Sequence, residues 1–280
     1  MADGILVLGA TGTIGQHVVS DLVARGETVK AATLDGTPHP AAEAIFFDFR
    51  DPSTVAPLFE GVDRVFVSMP AAPLEVIDAL MPVMLQIVER RIKAVLLSVL
   101  GVETLPDNPY RRLETVLENS GLPYVILRAN WFADNFRTEW KDDVLKGDLA
   151  LPAGEGLVSL VDARDVAAAA AVALTSSEFD GRSYALTGPA AVTLDRAAEV
   201  LTEAMGRKVS YRPIDGPDYE AKLRERGLPE TLIEQRLAEF DTIRSGTSAI
   251  VSPAVEMLTG RPPRFFETFV KDNATDFVTA

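Results

Sequence analysis

The chain of 280 residues contains no cysteine. That excludes thiol nucleophiles, disulfide frameworks, iron–sulfur clusters and thiolate zinc sites together. Only two histidines occur, His17 and His39, so no multi-histidine metal site can be built and no metal is expected. Cations are also scarce. Lys plus Arg is 27 against 41 Asp plus Glu, a net charge of −14 and a pI of about 4.6. So acidic a surface is poorly suited to phosphate backbones or anionic lipid, so no nucleic acid and no membrane is expected as a partner. Long apolar runs are missing too. The longest, 166–174, is nine residues and mostly alanine, far short of the roughly 20 needed to span a bilayer. No basic-then-apolar signal opens the chain. The expectation is a soluble, cytoplasmic protein.

What is present is a globular composition, 47% hydrophobic and 24% charged. At this size roughly 75% of the unfolded surface can be buried. Short apolar runs at 5–8, 29–32, 44–47, 65–67, 94–97 and 124–127 do not alternate with polar residues. Both faces of each should therefore be covered, as in a parallel sheet. Helical patterns lie between them. Ile14, Val18 and Leu22 fall on one helix face, Asp51-Pro52 reads as an N-cap with proline in the first turn, and 72–91 reads as a long helix that Pro82 would kink. Strand and helix in alternation predict an α/β fold with right-handed crossovers. The second half differs. Residues 132–146 read as helical, 157–161 and 183–186 as short strands, Thr193 as a helix start, and 219–244 as surface helices split near Gly227. The expected organisation is a dinucleotide-binding domain over 1–155, completed by strands within 156–190. A discontinuous α+β substrate lobe, mainly 191–280, follows.

The strongest local signal is Gly9-Ala10-Thr11-Gly12-Thr13-Ile14-Gly15, directly after the first strand and opening the first helix. Glycine serves where the backbone turns sharply and where a pyrophosphate meets the main chain, and the helix N-terminus supplies N–H donors. This predicts a doubly wound, Rossmann-like parallel sheet. Asp35 stands twenty residues after Gly15, at the spacing of a ribose-binding acid; a plain turn acid before Gly36 is the alternative. Asp48, after the third strand, is placed either to meet an adenine amino group or as an ordinary loop acid.

The glycine motif, Asp48, the fifth-strand end Ser98-Val99-Leu100-Gly101 and the segment from Glu114 through Leu127-Arg128-Ala129-Asn130-Trp131-Phe132 resemble the NmrA-like branch of atypical short-chain dehydrogenases. So do Val161-Asp162-Ala163-Arg164-Asp165, Leu186-Thr187-Gly188-Pro189 and Gly260-Arg261-Pro262-Pro263. Within the branch the style is that of the triphenylmethane reductase and NAD(P)H:quinone oxidoreductase group. The resemblance implies NAD(P)H as cofactor. It implies NADPH in particular, yet Leu34 replaces the family's arginine after the second strand, which leaves NADH open. Cofactor contacts are expected from Gly9, Thr11, Gly12, Thr13, Ile14 and Gly15. Leu34, Asp35, Asp48, Phe49, Ser68, Met69 and Ser98, after the next four strands, should add to them.

Short-chain dehydrogenases use a serine with a Tyr-x-x-x-Lys pair, in which the lysine lowers the tyrosine pKa so that the phenol can pass a proton. Ser98 and Tyr110 stand near the usual places and are the catalytic candidates. Four residues after Tyr110, however, comes Glu114 and not lysine, so the dyad is absent. Met69, Tyr110, Trp131, Phe132 and Asn135 are the candidates for substrate contact, since ligands in open α/β sheets bind beyond the strand ends; the alternative is core packing for the Trp131-Phe132 pair and a surface or pocket-rim position for Tyr110. The expected function is hydride transfer from NAD(P)H to a small aromatic, quinonoid or conjugated substrate. Two alternatives stand beside it: a redox-sensing regulator of the NmrA type, and an isomerase or cyclase that retains its cofactor. The oligomeric state is left open.

Overall fold

The central apolar runs become strands because helices cover both of their faces. The run 44–47, expected to be buried likewise, forms an edge strand and leaves Phe46 53% exposed, because an edge has sheet on one side only. The computed structural model of the protein describes residues 4–35, 42–69 and 76–277. In chain order the first elements are β1 (Gly4–Val7), α1 (Gly15–Ala24), β2 (Thr28–Thr33), β3 (Glu43–Phe46), α2 (Val55–Leu58), β4 (Val62–Val67) and α3 (Val76–Arg90). Next come β5 (Lys93–Val99), α4 (Pro109–Asn119), β6 (Tyr124–Ala129), α5 (Lys141–Lys146), β7 (Asp148–Leu151), β8 (Leu157–Val158), α6 (Ala163–Thr175) and β9 (Arg182–Leu186). The chain continues through β10 (Val192–Thr193), α7 (Leu194–Met205), β11 (Ser210–Pro213), α8 (Gly216–Glu225), α9 (Glu230–Arg244), α10 (Ala254–Thr259) and α11 (Phe266–Asp272).

Two units arise. The first comprises Met1–Ala129, Ala163–Leu186 and Ala254–Arg261; the second comprises Asn130–Asp162, Thr187–Pro253 and Pro262–Ala280. The first unit is a seven-stranded sheet in the order β3-β2-β1-β4-β5-β6-β9, parallel at every pairing. The strand order reverses between β1 and β4, the switch point of a doubly wound sheet. On one face Leu6, Val65, Leu96 and Ile126 pack with Leu80, Met84 and Ile87 of α3 and Leu113 and Leu117 of α4. Alternation sends Ile5, Val7 and Val95 to the other face, where α1 and α6 lie together. The alanines of α6 present no side chain beyond Cβ, which lets the two helices approach closely. Truncating one of these buried leucines to alanine would cost about 2–5 kcal/mol. α3 runs through Pro82; the stretch 70–75, which includes Pro70 and Pro73, lies outside the described residues.

The second unit holds a separate core. β7 pairs parallel with β11, and β8 pairs antiparallel with β10. Phe136, Trp140, Tyr219, Phe240, Phe269 and Phe277 fill it. α7 begins at Thr193, whose side chain accepts the Arg196 N–H, and stops at Gly206 with φ +63°. One expectation is corrected. Residues 132–146 are not one helix: a 3-10 turn, Ala133–Arg137, precedes α5. The Thr138 hydroxyl donates to the Asp134 carbonyl, and the Trp140 and Phe136 rings pack edge to face with centroids 5.0 Å apart. Local side-chain bonding and two aromatic anchors on successive turns win over helix propagation.

Candidate active site

The glycine motif folds as a tight turn onto a helix end. Gly9 lies at φ +62°, the left-handed region that favours glycine, and its carbonyl accepts the Gly12 N–H at 2.9 Å. A Cβ on Gly15 would stand 2.1 Å from the Gly9 oxygen and 2.8 Å from its carbonyl carbon. Glycine is therefore imposed at 15 by the protein's own packing. A Cβ on Gly12 would stand 3.2 Å from the Gly9 oxygen, a tight contact, with no other close atom among the described residues beyond its chain neighbours. The surroundings of Gly12 are therefore much less restrictive than those of Gly15. α1 has no side-chain cap and no acid in its first turn. Its N–H groups and partial positive charge suit a pyrophosphate.

The ends of the neighbouring strands line up beside this turn. Ser68, buried after β4, donates to the Leu8 carbonyl at 3.0 Å, and its oxygen would be 3.2 Å from a Cβ on Gly9. Met69 is half-buried against the core of the α3–α4 face. After β2, Leu34 is 57% exposed and Asp35 is exposed. The hydroxyl of buried Thr33 has no hydrogen-bond partner, an orphan polar atom at the place where a dinucleotide's adenosine ribose would lie. Lys30 donates from Nζ to the Glu60 carbonyl at 2.6 Å, so its charge is held toward β4. Asp48 accepts the Arg50 N–H through Oδ1 at 2.9 Å. Part of its role is thus to shape its own turn, while Phe49 packs on Phe47 at 4.4 Å. These residues fit a nicotinamide dinucleotide: a glycine cradle, an uncapped helix, an acid and an orphan hydroxyl. Gly36 and His39 lie outside the described residues.

The most unusual feature lies at the end of β5. Ser98 is buried and donates its hydroxyl to Glu114 Oε1 at 2.7 Å. Glu114, on α4, is 0% exposed. Its Oε1 also accepts Arg128 Nε at 2.9 Å, and its Oε2 accepts Arg128 Nη2 at 2.8 Å and Arg111 Nη1 at 2.9 Å. Arg111 goes on to bind Glu118 at 2.7 Å. Burial pushes the Glu114 carboxyl up, but hydrogen bonds from Arg128, Ser98 and Arg111 outweigh it and hold the group below its ordinary value. Tyr110 is half-buried in the first turn of α4, its N–H taken by Asn108 Oδ1 at 2.9 Å.

The sequence gives Arg128 and Arg111 no role at the site and shows Glu114 only as a missing lysine. A signal was available. Ser98 pairs in register with Arg128, so their side chains share a face, and the helix joining β5 to β6 has to cover it. The remaining candidates belong to the second unit. Trp131 packs in tilted contact with Phe240 at 4.9 Å and Trp140 at 5.7 Å between ring centroids, and its Nε1 donates to Thr242 Oγ1 at 3.2 Å. Phe132 forms a parallel bridge with Val161. The Asn135 carbonyl accepts the Trp140 N–H at 2.8 Å. Trp131 is thus half-buried against its own unit's aromatic core. Among the described residues no cluster of three metal-ligating side chains occurs, and no helix is long and apolar enough to cross a membrane.

Comparison with known proteins gives three findings. Residues 9–177 match a family described as NAD(P)H-binding. Two curated relatives are each 31% identical: prestalk A differentiation protein A of Dictyostelium discoideum, covering 96% of this chain and 91% of that protein, and an NAD(P)H azoreductase of Xenophilus azovorans, covering 99% and 100%. The crystal structure of an NADPH-dependent quinone oxidoreductase from Escherichia coli, complexed with NADPH, has the same fold. Its TM-score is 0.83 at 23% identity, over 96% of this chain and 99% of that one.

Proposed function

The chain belongs to the NAD(P)H-binding family, and from that premise we propose that it reduces small, flat, electron-poor acceptors of the aromatic or quinonoid class. It is an NAD(P)H-dependent oxidoreductase. When bound, the cofactor supplies a hydride. On this reading Gly9, Thr11, Gly12, Thr13, Ile14 and Gly15 hold the pyrophosphate. Asp35, Asp48 and Phe49 bind the adenosine, and Ser68, Met69 and Ser98 the nicotinamide half. Met69 and Tyr110, beside the strand ends of the first unit, are the residues proposed to touch substrate.

The observation that carries the acceptor class is Glu114. Hydride addition to an ordinary ketone generates an alkoxide, which needs an acid close by. No lysine follows Tyr110 at the required spacing, and the Ser98 proton is committed to a buried carboxylate. The chain has no cysteine. A quinone or other conjugated acceptor spreads the incoming charge over its ring system, and water can then supply protons. What is left for the protein is to hold a flat acceptor in place, which is a proximity effect. The relatives' names, an azoreductase and a quinone oxidoreductase, support conjugated acceptors. Anaerobic assays of NAD(P)H oxidation test the reading: turnover is expected with simple quinones and little or none with unactivated ketones. Binding without turnover of any acceptor would move the reading to a dinucleotide-sensing regulator.

The cofactor form follows from charge. Leu34 offers nothing to a 2′-phosphate and Lys30 is engaged at Glu60, so NADH should bind at least as well as NADPH. Paired titrations check this. A hundredfold preference for NADPH, about 2.7 kcal/mol, would overturn the weight placed on Asp35.

A further inference from the structure

Ser98 has one proton, and that proton is spent. It points at Glu114 Oε1, 2.7 Å away, inside a carboxylate that takes three further bonds from two guanidinium groups. A hydroxyl bound to an ionised, buried acid will not readily turn to donate elsewhere, because an O–H···O⁻ bond of this kind is roughly twice as strong as a neutral one. What Ser98 has to offer a ligand is its lone pairs.

Its position decides which ligand they meet. Ser98 lies two residues beyond the register pair Val67–Leu96, level with Met69 past the end of β4, and Ser68 links β4 to the glycine turn through Leu8 and Gly9. A dinucleotide whose pyrophosphate sits at Gly9–Gly15 runs along the carboxyl ends of the strands, across β4 toward β5. Its nicotinamide half carries donors: the carboxamide NH₂ and the ribose hydroxyls.

We propose that Ser98 is a hydrogen-bond acceptor for a donor on the nicotinamide half of the cofactor, and that Glu114, clamped by Arg128 and Arg111, is the positioning residue that fixes Ser98 in this polarity. This rests on the reading above that the chain binds NAD(P)H at its glycine motif. It departs from the expectation that Ser98 is catalytic: Ser98 recognises the cofactor and moves no proton. The same polarity sharpens the acceptor class. An acceptor-only serine gives no help to a ketone oxygen and does nothing to hinder a quinone.

The test is a binding titration, with turnover not required. Ser98→Ala should weaken the cofactor's Kd about five- to thirtyfold, the loss expected when a polar group is left without its partner. Ser98→Thr, which keeps the hydroxyl, should restore it. The 3-acetylpyridine analogue of the cofactor lacks the carboxamide NH₂. Equal binding of this analogue to wild type and Ser98→Ala assigns the donor to the carboxamide; an equal loss with both dinucleotides assigns it to the ribose. Glu114→Gln, once circular dichroism has verified its fold, should lose as much as Ser98→Ala, and the double variant no more than either. A purely structural acid would not act selectively on one dinucleotide. An unchanged Kd in Ser98→Ala, whatever happens to kcat, overturns the proposal. Failure of the wild type to bind either dinucleotide would instead strike the family-based reading, so the two failures are distinguishable.

Discussion

Gly12 and Gly15 stand three residues apart in one motif, yet the structure demands glycine at them for different reasons, and the difference can be measured. At Gly15 an added Cβ falls 2.1 Å from the Gly9 oxygen and 2.8 Å from its carbonyl carbon, both backbone atoms that cannot rotate away. The junction of β1 and α1 would have to open, at the cost of about 1–3 kcal/mol for overpacking. The higher helix propensity of alanine returns at most about 1 kcal/mol. At about 2–4 °C per kcal/mol for a chain of this order, Gly15→Ala should melt several degrees below wild type without ligand. At Gly12 a Cβ would stand 3.2 Å from the Gly9 oxygen, the one close atom among the described residues beyond its chain neighbours, and φ is not in the left-handed region. Gly12→Ala, which asks the Gly9 oxygen to give by a few tenths of an ångström rather than about one, should melt closer to wild type than Gly15→Ala does. Cofactor reverses the ranking of interest. At a hundred times Kd it should stabilise wild type by about 2.7 kcal/mol. Gly12→Ala, whose methyl stands where the pyrophosphate would lie, should show almost none of this. Scanning calorimetry of the three proteins with and without cofactor is the assay. An unchanged melting temperature for Gly15→Ala, or a full cofactor-induced shift in Gly12→Ala, would refute the division of roles.

Three further outcomes are expected. Tyr110→Phe should lose less than about tenfold in rate, whereas an acid catalyst is worth roughly 10²–10⁴, and steady-state kinetics will tell the two apart. The Glu114 carboxyl is held below its ordinary value, so the unfolded chain takes up the proton first as pH falls. The stabilisation is complete above the unfolded value and is lost as pH drops through the folded one. Breaking this buried pair with Glu114→Gln should cost about 3–5 kcal/mol near neutrality, and its deficit in calorimetric melts should narrow in acid; a constant gap would count against the assignment. Thr193→Ala removes the cap that receives the Arg196 N–H and should cost about 1 kcal/mol in denaturant titration.

The sheet was legible because its central strands are short, apolar and buried on both faces, a pattern written in the local sequence. Five of the six expected runs of the first half, from 29–32 onward, lie within or overlap β2 to β6, and 5–8 overlaps β1. The glycine turn was legible for the same reason, since its geometry is local to seven residues. Helix continuity over 132–146 was not. Periodicity records which side chains are apolar, and it does not record that Thr138 bonds back to Asp134 or that Phe136 and Trp140 are drawn into one core. The Glu114 cluster was invisible in another way. Ser98, Arg111, Glu114 and Arg128 span thirty-one positions, and their meeting depends on β5 pairing with β6 beneath α4. Single residues read along the chain give Glu114 as a defect in a motif; the folded register makes it the centre of a charge network.

The measurement closest to the central claim is an anaerobic comparison of NAD(P)H oxidation by the purified protein with a simple quinone and with an unactivated ketone of similar size. An acceptor that needs no acid should turn over, and the ketone should not, because the Ser98 proton is held by Glu114 and no lysine activates Tyr110. Rapid reduction of the ketone with an inert quinone would contradict the account.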